Sequence, residues 1–379
     1  VAPPRGAGDN VAMSSHRRDT RSEYMEWAKA RAHARFNLAA SGMLAYPLAD
    51  LPVRIEDLEI CGPTGYGYAA LLERLARKCG VAPECVVAAT GTSMANHLGM
   101  AALVEPGDEV LIEQPTYELL LSAATYLGAD IRRFQRRFED GFRVDPREVE
   151  RAITPRTRLV VLTNLHNPSG VRADEAALQL VGEIARRHGA QVLVDEVYLE
   201  AVYEPGVRSA FHLGDNFLVT SSLTKAYGLS GLRCGWVLAA PPLAECMWRL
   251  NDLFGVNAAH PAELLSVIAL DNLERIAARA KKLLAANRLQ LNRFFDSRRD
   301  LTVVRPEAGT IAFPHLAGGN VDRLCALLRE RYETSVVPGR FFEMPEHFRM
   351  GIAGAPEMIA GGLDRLGAAL DEVASLAAR

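Results

Sequence analysis

From about Val81 onward, short apolar runs alternate with stretches whose apolar positions recur at helical spacing. CVVAA at 85–89 leads into MANHLGMAALV, and EVLIE at 109–113 leads through Pro115 into YELLLSAATYLG. Further apolar runs lie at 158–162, 191–194, 217–220 and 234–239. Runs this short, bounded by turn residues and separated by amphipathic helices, predict βαβ units: an α/β fold with a mostly parallel sheet and helices on both faces. In such a sheet, ligands sit outside the carboxyl ends of the strands. After Pro261 the stretch AELLSVIALDNLERIAARAKKLLAANRLQLNRFF reads as one long helix or two abutting ones. Apolar stretches at 301–304 and 310–313, with a last helix from about Pro356, predict a smaller α+β unit.

The first 22 residues, rich in Pro, Gly, Ser and charge, show no periodic apolar face and read as a mobile arm; Met13 within it is an alternative start. The 379 residues suffice for two to three domains of about 150 residues. With 43 basic against 46 acidic side chains, the net charge of −3 gives no reason to expect nucleic acid or an anionic membrane as partner. No window holds the roughly 18 apolar residues of a membrane span, and no signal core opens the chain, so a cytoplasmic protein is expected. The six cysteines form no CxxC pair, which argues for packed, reduced thiols and against a metal site. Only five lysines occur, at 29, 78, 225, 281 and 282, so chemistry that needs an amine has few candidates.

Reactive side chains cluster at the tips of the predicted strands. QVLV runs into Asp195-Glu196-Val197-Tyr198, delivering a carboxylate and a phenol, although an Asp there could equally cap the next helix. FLVT runs into Ser221-Ser222-Leu223-Thr224-Lys225, with Arg233 eight residues on. Lys225 alone follows a buried strand, the other four reading as helix-surface lysines, and an amine in a cleft can form an imine with a carbonyl. Thr92 and Ser93 open a helix, whose free N–H groups and dipole suit a phosphate, or are plain capping. Asn167, in NLHNPSG, either makes a turn or donates to a ligand oxygen. Tyr117 either stacks on a flat ring or packs in the core.

SSLTKAYGLSGLRCGW, NLHNPSG, DEVY and the late FRMGIAG together resemble the class I/II aminotransferases of the fold-type I pyridoxal-phosphate enzymes, in the order and spacing of their residues. The resemblance implies a three-layer αβα large domain over 46–257, a small α+β domain from 23–45 and 258–379, and a homodimer with sites at its interface. It implies pyridoxal 5′-phosphate as cofactor, Lys225 as the amine that joins it and shuttles protons, and Asp195 on its ring nitrogen, with a lowered pKa beside that cation. Tyr198 and Asn167 would bond its phenolic oxygen. Thr92, Ser93, Ser222 and Arg233 would hold its phosphate, and Tyr117 would stack on its ring. Arg349 would grip the substrate α-carboxylate, assisted by backbone N–H groups at Ser41 or Gly42. No metal is implied.

The expected reaction moves an amino group between an α-amino acid and a 2-oxo acid in a ping-pong cycle. The alternative is a lyase, cyclase or β/γ-replacement enzyme on the same scaffold. A regulator or dinucleotide-binding protein is the third reading, opposed by the absence of a GxGxxG after a predicted strand. The chain departs from the family in two places. The position of the partner subunit's usual phosphate-binding tyrosine falls at or beside Cys61, so either Tyr66 substitutes from a different geometry or the contact is missing, and the segment FGVNAAHP at 254–261 holds no arginine for a second substrate carboxylate.

Overall fold

The structure is a computed structural model and describes residues 20–377 apart from Pro205, with side chains as far as Ser375. Most of the expected arm, and Met13, lie outside the described residues. The first helix, α1 (Glu23–Ala30), is capped by the Ser22 hydroxyl accepting from Met25 N–H at 3.1 Å. A short strand β1 (Phe36–Asn37) follows, then α2 (Ala69–Cys79), which Gly80 ends in the left-handed conformation.

The main sheet is built from β2 (Val86–Thr90), β3 (Glu109–Gln114), β4 (Asp130–Gln135), β5 (Thr157–Thr163), β6 (Gln191–Asp195), β7 (Phe217–Ser222) and β8 (Cys234–Leu238). Their order is β2-β8-β7-β6-β5-β3-β4, with β8 antiparallel to both its neighbours and the other pairings parallel. Six of these strands coincide with the apolar runs. The edge strand β4, DIRRFQ, does not: four of its six residues are polar, Asp130 and Arg132 are exposed, and only Phe134 is buried.

The helices between the strands are α3 (Gly91–Ala101), α4 (Glu118–Leu127), α5 (Pro146–Ala152) and α6 (Glu175–Arg187), followed by α7 (Pro241–Asn251) and α8 (His260–Asp271). Successive strand residues feed opposite cores. Val192 and Val194 pack with Leu75 of α2, Val181 of α6 and Ala269 of α8, whereas Leu193 packs with Leu98 of α3 and Met247 of α7. The result is a three-layer αβα unit.

The long helical stretch is two helices, α8 and α9 (Leu273–Asp296), parted at Asn272. Ile276 of α9 still belongs to the main-sheet core, while Ala280 and Leu284 belong to a second core. That second core is closed by α10 (Val321–Arg331) and α11 (Pro356–Ala377) over short strands: β9 (Leu301–Thr302), β10 (Ile311–Ala312), β11 (His315–Leu316), β12 (Thr334–Ser335), β13 (Val337–Pro338) and β14 (Phe348–Gly351). β14 lies between β10 and β13, and β12 pairs with β1. A Cβ on Gly351 would stand 1.7 Å from the Ala40 carbonyl oxygen, so only glycine lets the 38–43 segment run against β14. No helix among the described residues is long and apolar enough to cross a membrane.

Candidate active site

Apart from Tyr66, every site residue expected from the sequence lines one cavity of about 510 Å³ at the carboxyl ends of the parallel strands. Lys225 sits in the turn after β7, with its carbonyl accepting from Met43 N–H at 2.8 Å and its Nζ donating to Ser41 Oγ at 3.2 Å. Burial lowers its pKa; Arg349 and Arg233 add to the lowering, while Tyr24 and Asp195 oppose it. Ser41 and Gly42 thus lie directly against the lysine stem.

Asp195, at the tip of β6, is 4% exposed. Its Oδ2 accepts from Asn96 Nδ2 at 2.8 Å and its Oδ1 from Val197 N–H at 3.0 Å. Asn96 is itself fixed by the Thr220 hydroxyl, which donates to its Oδ1 at 2.5 Å. The expected lowering of the Asp195 pKa does not occur in the chain alone. Burial pushes it up to about 6, outweighing the Asn96 and Val197 bonds and the more distant Lys225, because the cation that would lower it is not part of the polypeptide.

Asn167 is held by its own N–H on Thr163 Oγ1 at 2.9 Å, and its Oδ1 accepts from Arg349 Nη1 at 2.8 Å, which leaves the amide Nδ2 to donate. Arg349, 1% exposed on β14, donates from Nη2 to the Tyr24 hydroxyl at 2.8 Å, while its Nε finds no partner. Burial raises the Tyr198 pKa, opposed by Arg349 and by a bond to Ser41.

At the other end of the cavity, the Thr92 hydroxyl donates to Ser222 Oγ at 2.9 Å beside Ser93 and the first turn of α3. Arg233, in the left-handed conformation at φ 52°, lays its Nη2 on the Thr90 carbonyl at 3.3 Å. A Cβ on Gly91 would meet that nitrogen at 2.3 Å, so the guanidinium rests on the glycine where α3 begins. Tyr117 presents its ring edge-on to Tyr24, centroids 5.6 Å apart.

Asn96 and Tyr24 were not foreseen. Asn96 stands four residues after Thr92, hence on the same helix face, and a polar residue within MANHLGM is the signal that could have found it. Tyr24, from α1, carries no such signal. Tyr66 does not line this cavity; its hydroxyl donates to Asp252 at 3.1 Å on the surface. Lys78 is not an open surface lysine: it is half-buried and paired with Glu200 at 2.5 Å, lining a second cavity of about 580 Å³. Of the six cysteines, Cys61 and Cys246 are exposed rather than packed.

Residues 56–366 match the sequence profile of the family described as Aminotransferase class I and II. The chain belongs to this family. Capreomycidine synthase of Streptomyces vinaceus is 29% identical over 373 residues, covering 94% of each chain. Arginine–pyruvate transaminase AruH of Pseudomonas aeruginosa is 29% identical, covering 82% of this chain and 83% of its own. Among solved structures, a PLP-dependent aminotransferase from Streptococcus suis superposes with a TM-score of 0.85 at 28% identity, over 92% of this chain and 97% of that one. The PLP-dependent cyclase OrfR superposes with 0.83 at 26%, over 95% and 100%. As a class I/II aminotransferase the chain is a fold-type I enzyme whose cofactor is pyridoxal 5′-phosphate. Its donor set suits that group, since hydroxyls, a helix N-terminus, a guanidinium, an amine and a buried carboxyl share one cavity.

Proposed function

We propose that this aminotransferase works through Lys225 in a ping-pong exchange between an α-amino acid and a 2-oxo acid. The observation that carries this reading is the convergence of Lys225, Asp195 and Arg349 on one cavity. When bound, the cofactor supplies an electron sink for the carbanion at the substrate Cα.

The chain's own groups do the rest. Lys225, whose pKa burial lowers from the ordinary lysine value, takes a proton at Cα and returns it. Asp195, held by Asn96 and the Val197 N–H, keeps a proton on the ring nitrogen. Tyr198 and the Asn167 amide donate to the phenolic oxygen. Thr92, Ser93, Ser222 and Arg233 hold the phosphate, and Tyr117 covers the ring. Arg349 binds the α-carboxylate, with Ser41 and Gly42 closing beside it.

The same reading includes a cytoplasmic homodimer, with a large domain at 46–257, to which α8 adheres, and a small domain formed by 23–45 and the remainder. Support for the dimer comes from the exposed apolar side chains Ile55 and Ile60, upstream of Tyr66, and Leu253, Phe254 and Val256, downstream of Asp252, the two segments being joined by the Tyr66–Asp252 hydrogen bond.

Borohydride reduction of the holoenzyme, followed by peptide mapping, should fix the cofactor on the peptide bearing Lys225; label on another lysine would refute the assignment. A second reading, a lyase, cyclase or β/γ-replacement enzyme, is consistent with the likeness to capreomycidine synthase and to the PLP-dependent cyclase OrfR, which share the scaffold. Single amino acids separate the two: transamination bleaches the visible absorbance in a half-reaction, whereas elimination or cyclisation restores it and releases product.

A further inference from the structure

We infer that Tyr24 is a substrate-binding residue whose hydroxyl donates to the α-carboxylate alongside Arg349; this rests on the reading of Arg349 as the carboxylate site. Tyr24 is 8% exposed and reaches the cavity from α1. Its ring is boxed by Tyr117 at 5.6 Å, Phe341 at 5.8 Å and Phe342 at 6.0 Å. Ser22, which caps α1, also donates to Glu118 of α4, the residue after Tyr117, so the helix carrying Tyr24 is tied to the cavity wall.

The chemistry follows from counting donors. Arg349 has five N–H bonds. Asn167 Oδ1 and the Tyr24 oxygen accept one from each Nη, which fixes the guanidinium plane, and the buried Nε remains without a partner. A buried guanidinium with spare donors and no carboxylate among its partners is a site prepared for an anion. The Tyr24 oxygen, by accepting from a cation, is polarised, which makes its own proton a stronger donor. Among the described residues Tyr24 donates to nothing, so that proton is free for the anion that Arg349 awaits.

The test is Tyr24→Phe, which keeps the ring and its packing and removes only the hydroxyl. The probes are 3-phenylpropionate, an unreactive carboxylate suited to the aromatic lining, and 2-phenylethylamine, which lacks the carboxylate. On the holoenzyme, the Kd for 3-phenylpropionate should rise roughly 10- to 100-fold, the range for a hydrogen bond to a charged group. The KM values for amino acid and 2-oxo acid should rise together, while the affinity for 2-phenylethylamine and the cofactor absorbance stay unchanged. A Kd within twofold of the parent overturns the proposal, as does equal weakening of both probes, which would mean that Tyr24 only shapes the cavity. Arg349→Lys on the same probes separates the two levels. If it leaves 3-phenylpropionate binding intact, the reading of Arg349 fails; if it weakens binding where Tyr24→Phe does not, only the role of Tyr24 fails.

Discussion

Glu113 and Arg136 form an ion pair of 2.7 Å in which neither side chain reaches solvent. The other carboxylate oxygen of Glu113 accepts from the Thr163 N–H at 2.8 Å and the Thr163 hydroxyl at 2.5 Å, and that hydroxyl accepts from the Asn167 N–H. Through Asn167 the chain of bonds ends on Arg349. A buried pair one layer below the cavity therefore sets the position of two of its walls.

Glu113→Gln should destabilise the protein by about 3–5 kcal/mol, because it leaves the Arg136 charge buried and unpaired. The midpoint of urea unfolding measures this. Replacing both partners with apolar residues should cost less than the single change; an equal or larger loss would mean that the pair contributes more than compensation of its own burial.

Lys225→Ala should still bind pyridoxal phosphate reversibly, since the phosphate donors remain. Borohydride should fix no cofactor, and turnover should fall by at least roughly 10²- to 10⁴-fold for loss of the proton carrier alone. Unchanged turnover would refute the assignment.

Burial raises the Asp195 pKa from 3.8 to about 6 in the cofactor-free chain. A raised acid binds more protons folded than unfolded, so its contribution to stability is present below about pH 4 and is lost as the pH climbs through 6. Unfolding free energies of wild type and Asp195→Asn, compared without cofactor, should diverge by on the order of 2–3 kcal/mol between pH 4 and 8, the wild type losing ground. A flat difference across that range would sink the argument.

Gly91→Ala should weaken the proposed phosphate site at Arg233 without abolishing the fold. The new Cβ displaces the Arg233 guanidinium, and the backbone at φ 76° resists a side chain. The expected signature is a higher Kd for pyridoxal phosphate and little change for pyridoxal.

Ile60→Glu combined with Leu253→Glu should shift the mass seen by analytical ultracentrifugation from dimer towards monomer, since both side chains are more than three-quarters exposed in a single chain. A monomeric wild type would refute the proposed assembly.

Strand by strand, the apolar runs already marked β2, β3, β5, β6, β7 and β8, because strands buried on both faces leave no room for polar positions. Lys225, Asp195 and Asn167 were legible for the same reason: each follows the tip of such a strand, so local pattern and site coincide. β4 was not legible, because only Phe134 of DIRRFQ is buried and its polar positions break the apolar run. Nor were Tyr24, Asn96 or the Glu113–Arg136 pair. Their importance arises from contacts across 325, 99 and 23 residues of chain, which no local pattern encodes. Sequence by itself determined the sheet, the amine and the acid at its rim; packing alone decided which helix closes the cavity and which groups lock its arginine, because those choices depend on distance in space.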